Sequence, residues 1–495
     1  MARKRINKRK LLKKKPAKAS KGGALVVLRL ISILLQFSFF FAIIFGCYFI
    51  LAFVIHLFDK EHPGTNIKSE KISISHEQVS YIVGTKNSKT IALHVYKTIV
   101  RAETLLLLDF QDYPSFEKGK KFYDLLVTVQ KQKPGLSIFV VANNETRNFS
   151  DSYPVGFAML AKAGINVIFT DPSVAQTYHW IYSPLATALS ALAPSALSVQ
   201  LKRWIKNTNR RNVIISQGDW GMSALTGTYS LLKNNGRLEM AVKLADSAVL
   251  PILKSELFLI REFMDNNSDN FSGNDGETVK RNIESSLKNV LNTKYSQSGK
   301  TSFEYLSEGM IKKRLNNMFL GVEQGDSVDI IAGKLSSTSI IKAIRFADLI
   351  GAKVRVLFNK NNFDVSNPPG LPNILTAHEL FSSSKKLQVQ WIEGHATEIS
   401  FVHIYNKNKG KDQTLLLTCP MTEQYINNYN LAGACYVNGN IKDSARLITL
   451  FNTYSNSNAT RQIYASRYTK YPLTQTKRYY SKLHSMTKAI MGISD

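Results

Sequence analysis

"TLLLLDFQDYPSFEKGKKFYDLLVTVQKQKPGLSIFVVANN", residues 104–144, sets out an apolar run, a polar turn, a helical pattern, a Gly break and a second β-rich run. Short apolar runs argue for strands, and apolar residues three and four apart argue for the helix between them. That order is a βαβ unit, with parallel strands and a right-handed crossover. "SVDIIAGKLSSTSIIKAIRFADLIGAKVRVLFNKNN", residues 327–362, repeats the same signals in the same order.

The echo extends in both directions. "PVGFAMLAKAGINVIFT" (154–170) matches "LPNILTAHELFSSSKKLQVQWIE" (371–393), a helix feeding a strand. "RNVIISQGDWGMSALTGTYSLLKNNGRLEMAVKLADS" (211–247) matches "QTLLLTCPMTEQYINNYNLAGACYVNGNIKDS" (413–444), each a strand, a tight polar step, a helical turn and a further strand. Similarity of this length argues for duplication of one α/β unit. The reading places the copies at 81–264 and 301–495. A 59–80 linker precedes them, and a 265–300 connector opening on the Asn/Ser/Gly-rich "DNNSDNFSGNDGE" separates them. The first copy carries an insert, "PLATALSALAPSALSVQLKRWIKNTN" (184–209), read as one or two short helices that cover the core or touch a membrane.

The formal charge of +28 is uneven. Residues 1–29 hold twelve Lys and Arg and no acid, and subtracting those twelve leaves +16 for the rest. Next comes "LISILLQFSFFFAIIFGCYFILAFVIHLF", residues 30–58, without Asp, Glu, Lys or Arg. About 20 apolar residues span a bilayer, so this run is expected to be a transmembrane helix. Positive flanks stay inside. Residues 1–29 are therefore expected to be a cytoplasmic tail, with the body after a single pass on the non-cytoplasmic side. The tail charge then reflects topology and attraction to anionic lipid, and nucleic acid is a disfavoured partner.

Three Cys and nine His are too few and too scattered for a disulfide scaffold or a metal cluster. The sequence shows no glycine-rich phosphate loop and no GxSxG elbow, and no cofactor or metal is expected. A His closes on each late strand, His179 in "TYHWIYS" and His403 in "FVHIYNK".

At these residues the chain resembles the phospholipase D superfamily. The resemblance covers about residues 80–490 and lies in the order of elements more than in motif identity. It implies an α/β fold of duplicated domains with mixed, mainly parallel sheets, here preceded by one transmembrane helix. It also implies two His facing each other across the domain interface, one attacking phosphorus and one protonating the leaving alkoxide. A neutral imidazole is suited to both roles. His179 and His403 are the residues carried over; a satisfied structural imidazole is the other reading of each.

The departures fall on the phosphate ligands. Ile181 and Tyr405 stand where the family has Lys. The Gly-Ser-x-Asn step has become "SQGDW" (216–220) and "TCPMT" (418–422), with Asp219 and Met421 at the Asn positions. Glu239 matches the family's late Glu. Losing one oxyanion donor costs about 10²–10³ in rate, so the resemblance implies a degenerate pseudoenzyme that binds phosphodiester headgroups or protein partners at a membrane surface. The alternatives are an active phosphodiesterase working through phosphohistidine and a structural envelope scaffold. Substitute phosphate ligands are Lys407, Lys409, Tyr405 and Asp219, with Arg210 and Arg211 nearby; the turn lysines also read as a solvated hairpin. In the resembled fold the strands bearing Cys419 and Cys435 are antiparallel neighbours, which implies a disulfide or two buried thiols.

Overall fold

A computed structural model describes residues 31–47 with gaps, 69–84, 90–110, 113–143, 152–170, 209–231, 237–263, 281–285, 288, 299–307, 309–359, 373–384, 386–392, 397–426, 431–439, 443–456 and 460–462. The chain forms two units, Met1–Lys60 and Glu61–Asp495. In the first unit, residues 31–41, 43–44 and 46–47 are helical. Among the described residues no helix is long and apolar enough to cross a membrane. The rest of the 30–58 run lies outside them.

The larger unit opens with β1 (Lys71–Ile74), inside the stretch read as a linker. The first copy follows as β2 (Val79–Gly84), α1 (Thr90–Arg101), β3 (Leu105–Asp109), α2 (Phe116–Gln132), β4 (Ser137–Asn143), α3 (Ser152–Lys162) and β5 (Asn166–Thr170). It resumes with β6 (Asn209–Arg210), β7 (Val213–Gly218), β8 (Gly221–Thr228), β9 (Glu239–Ala245) and α4 (Leu250–Phe263). The second copy runs β10 (Thr301–Ser307), α5 (Met310–Leu320), β11 (Ser327–Ala332), α6 (Thr338–Leu349), β12 (Lys353–Asn359), α7 (Asn373–Ser383) and β13 (Gln388–Ile392). It ends with β14 (Ser400–Asn406), β15 (Lys411–Leu417), the single turn α8 (Glu423–Ile426), β16 (Leu431–Gly439), α9 (Ser444–Asn456) and β17 (Thr460–Gln462).

The duplication is visible in the pairing. One sheet is ordered β2-β9-β8-β7-β3-β4-β5, and the other contains the matching order β10-β16-β15-β14-β11-β12-β13. Both are mixed. The expectation of mainly parallel sheets is corrected: ten of fifteen described strand pairings are antiparallel. Each βαβ crossover supplies parallel pairs, but the hairpins β7–β8 and β14–β15 and their neighbours add more antiparallel ones.

The second sheet also recruits strands from outside its copy. β1 pairs antiparallel with β10 at its edge, and β6 pairs parallel with β16 through Leu431–Asn209 and Ala432–Arg210.

The runs fold this way because both faces of each sheet are covered, which favours continuous apolar strands. In β3, Leu105 and Leu107 face one core while Leu106 and Leu108 face another. The inner core is shared: it takes Leu107 and Val213 from the first sheet, Phe401 and Val437 from the second, and Leu253 of α4 with Phe451 of α9. Tyr81 of β2 meets Phe401 edge-on with centroids 6.2 Å apart, and its hydroxyl bonds to Thr414. Outer helices close each far face, with Ile91, Val95 and Ile99 of α1 on one and Ile311 and Leu315 of α5 on the other. A buried Leu or Ile contributes roughly 1.5–3 kcal/mol. Ile283, from the stretch read as a connector, is also buried in the shared core.

Candidate functional site

The β6 segment alternates. Asn209 points inward, its amide donating to both carboxyl oxygens of Asp109 at 2.9 and 3.0 Å. Arg211 also points inward, with no exposed surface, to Ser255 Oγ and Glu256 Oε1 at 3.1 Å. Arg210 between them and Asn212 after them face a cleft, as a strand period of two requires. Asn212 holds φ at 46°, a left-handed backbone that Asn tolerates better than most residues.

Burial and the neighbouring Glu256 carboxyl hold Asp109 well above the usual carboxylate range, against the pull of Asn209 and Arg211. A protonated Asp109 can share its proton with Glu256, whose Oε1 takes the Arg211 guanidinium. Tyr305 Oη of β10 lies 3.3 Å from Glu256 Oε1, which ties the network to the second sheet.

The cleft, about 120 Å³, opens where equivalent parts of the two copies converge. Thr228 ends β8 and Thr418 follows β15, the matching strand; both line it, with Ser230 and Pro420 beside them. Phe110, just past β3, and Tyr229 form an aromatic wall, their centroids 5.9 Å apart. Across the seam Leu238 bridges Thr397 in parallel, and Thr397 Oγ1 donates to the Leu238 carbonyl at 3.0 Å. Beside that bridge Arg237 Nη1 lies 3.1 Å from Glu398 Oε1, both side chains more than half exposed. Gly333 has to lack a side chain here, since a Cβ would stand 2.7 Å from the Glu398 Cα.

The cleft's charges are mixed. Arg210 lies over the Tyr425 ring at 5.2 Å, and Arg237 holds Glu398. Glu239 accepts the Ser230 N–H at 3.1 Å. Burial pushes the Glu239 carboxyl up to about 7; the Ser230 N–H and Arg237 offset part of this and Glu398 adds to it. A carboxyl poised near neutrality and within reach of the Arg237 charge can hold or give up a proton beside a bound anion.

His403 is elsewhere. It sits within β14, three residues from Ser400 where the strand begins, or about 10 Å at strand rise. Its Nε2 is 2.8 Å from Asp412 Oδ1 and its Nδ1 3.8 Å from Asp329 Oδ2, and it is 2% exposed. Arg355 grips Asp329 with two bonds of 2.6 and 2.7 Å. Burial would lower the His403 pKa, but the bonds to Asp329 and Asp412 outweigh it and hold the imidazolium. His403 is not among the cleft residues, and no His is among the described residues that line it. His179 and Ile181 lie outside the described residues.

The other residues read as phosphate ligands sit at the opposite, hairpin ends. Asp219 is in the β7–β8 turn, its N–H donating to Glu103 Oε2 at 2.9 Å. Lys407 and Lys409 are in the β14–β15 turn, Lys409 paired with Glu323 at 2.9 Å, and Tyr405 is 38% exposed beside that turn. The disulfide reading is corrected: Cys419 and Cys435 are free thiols. β15 and β16 are antiparallel neighbours, but Cys435 pairs with Leu416 and faces the shared core, while Cys419 faces the outer one. The two side chains occupy opposite faces of the sheet.

No family model and no curated protein sequence matches the chain. Among solved structures, phosphatidylserine synthase from Haemophilus influenzae Rd KW20 matches with a TM-score of 0.56 at 9% identity, over 84% of this chain and 96% of that one. Polyphosphate kinase from Porphyromonas gingivalis gives 0.44 at 9% identity over 79% and 49%. Nuc, a phospholipase D family member from Salmonella typhimurium, gives 0.27 at 12% over 34% and 100%. The chain shares its fold with that phosphatidylserine synthase. At such identities the likeness is one of fold alone. The cleft residues that sequence reading missed include Thr228, Ser230, Arg237 and Glu398. Their one signal was position next to a strand matched between copies: Thr228 and Ser230 at the end of β8, Arg237 before β9 and Glu398 before β14.

Proposed function

We propose that the body is a phosphoryl-binding module in which the seam cleft holds the phosphate of a headgroup or similar ester, without phosphohistidine chemistry. The observation that carries this reading is the cleft's lining: Arg210 and Arg237 beside the hydroxyls of Thr228, Ser230 and Thr418, with His403 locked between carboxylates in mid-strand. Guanidiniums match phosphate oxygens in charge and geometry. The chain is similar in fold to a phosphatidylserine synthase, which supports a phospholipid-related ligand. The apolar run 30–58 behind a cationic tail supports a membrane-tethered module, with the body on the non-cytoplasmic side.

Calorimetric titration of the full-length protein with glycerophosphate and with a dialkyl phosphate tests the site. Each of Arg210→Ala and Arg237→Ala is expected to weaken binding about tenfold or more, the worth of a charge-assisted bond. Unchanged affinity in both variants refutes the cleft. Hydrolysis of a generic phosphodiester is expected to be no faster than in His179→Ala; a rate lost in that variant while its melting curve is unchanged restores the enzyme reading. A reporter fused after Asp495 checks sidedness, and cytoplasmic activity overturns it.

A further inference from the structure

Helix α1 buries Ile91, Val95 and Ile99, and its outward face should therefore be polar. It is not. Leu93, Tyr96 and Val100, at positions i, i+3 and i+7, are 49, 51 and 38% exposed. The helix carries no acidic residue, and Lys97 and Arg101 share its exposed face.

Trp220, 40% exposed, continues the apolar stripe. Its indole N–H donates to the Arg101 carbonyl at 3.0 Å, and the Arg101 guanidinium lies 5.8 Å from the ring centroid. Lys133 adds a third cation at this end, its ammonium donating to the Val100 and Ala102 carbonyls at 2.8 and 2.7 Å. The acids nearby are Glu103 and Asp219, and Glu103 is turned to the Asp219 N–H. Leu93, Tyr96 and Val100 are neighbours on one helix face and Trp220 is bonded to its last turn, so the residues form a contiguous patch.

We infer that the outward face of α1, with Trp220, is a docking surface for an anionic lipid bilayer. Leu93, Tyr96 and Val100 enter the headgroup boundary while Lys97, Arg101 and Lys133 meet lipid phosphates. Charge complementarity selects this occupant: cations interleaved with Tyr, Trp and aliphatic anchors are the composition of interfacial helices. The contact is separate from the seam cleft and independent of whether residues 30–58 span the membrane.

The test uses the full-length protein with Leu93→Cys in a Cys47→Ser background, labelled with a small fluorophore; the buried Cys419 and Cys435 stay unlabelled in the folded chain. Vesicles are of phosphatidylcholine, with or without phosphatidylglycerol, and carry brominated acyl chains as quencher. Quenching at position 93 is expected to exceed that of the same label at Glu77→Cys by about twofold or more on anionic vesicles. It should fall to the control level without phosphatidylglycerol, or with Lys97→Glu/Arg101→Glu. Equal quenching at positions 93 and 77 overturns the proposal. So does a fluorescence change that follows protein concentration without vesicles, which would assign the face to a second copy of the chain.

Discussion

The imidazole of His403 and the carboxylate of Asp412 meet at 2.8 Å, on strands β14 and β15, with the ring 2% exposed. Asp329 flanks the same ring from β11 and is itself gripped by Arg355. His403 therefore acts on stability. Its folded pKa is raised, so its contribution is full below the unfolded value of about 6.5 and is lost as pH rises through the folded value. Asp329 is lowered despite burial, by His403 and Arg355, so its contribution holds above about 3.9 and is lost as pH falls through the folded value. His403→Gln should cost about 3–5 kcal/mol, the penalty for breaking a buried pair. Calorimetric melting at several pH values should show the gap to wild type widest between the two windows and narrowing at alkaline pH.

Glu239 predicts a pH dependence of binding. Below about 7 it is neutral and leaves the cleft more positive; above about 7 its charge opposes an anion. Sulfate keeps a constant charge across this range and is the suitable probe. Its affinity should fall as pH rises through about 7 in wild type, and Glu239→Gln should hold the acid-side affinity throughout.

The Asp109–Glu256–Arg211 network separates two substitutions that look equally severe. Arg211→Met strips a buried carboxyl pair of its cation and should cost about 3–5 kcal/mol. Asp109→Asn should cost no more than about 1 kcal/mol. An amide can still accept from Asn209 and donate to Glu256, much as the protonated acid does. Urea unfolding of the two variants measures the contrast.

Cys419 and Cys435 should resist alkylation in the native protein and react freely once it is unfolded without reductant. Both are buried, and burial pushes the Cys419 thiol up to about 12, with Arg210 pulling slightly the other way. Mass spectrometry that found a crosslinked 419–435 pair would contradict the register of β15 and β16.

The duplicated architecture was legible because β3 is a continuous apolar run and β11 an apolar run broken by Asp329, each followed by a helix of clear period and a glycine break. The hairpins were harder. "GMSALTGT" holds no Val or Ile and two Gly and reads as a helical turn, yet it is β8, so the polar step at 216–220 is a hairpin turn and the strand end is Thr228. That shift moved the expected ligand from Ser230 to Asp219. His403 attracted a chemical role because a His after an apolar run looks the same whether its partners are a substrate or two carboxylates brought from β11 and β15. Arg210 and Arg211 were both noticed. A strand period of two sends one into the cleft and the other into the core, and a two-residue strand is too short to reveal that phase in advance.

The donation of β1 and β6 to the second sheet ties the two halves together. A fragment begun after the connector would encode a second sheet stripped of β1, baring the outer backbone edge of β10, and would lack the Asn209–Arg210 strand that docks on β16. A fragment ended before it would leave Arg210 without the Tyr425 ring on which it lies. Unpaired edges of this kind invite aggregation. Because the second sheet draws strands from the first half and both halves line one core, neither half keeps its surface covered without the other.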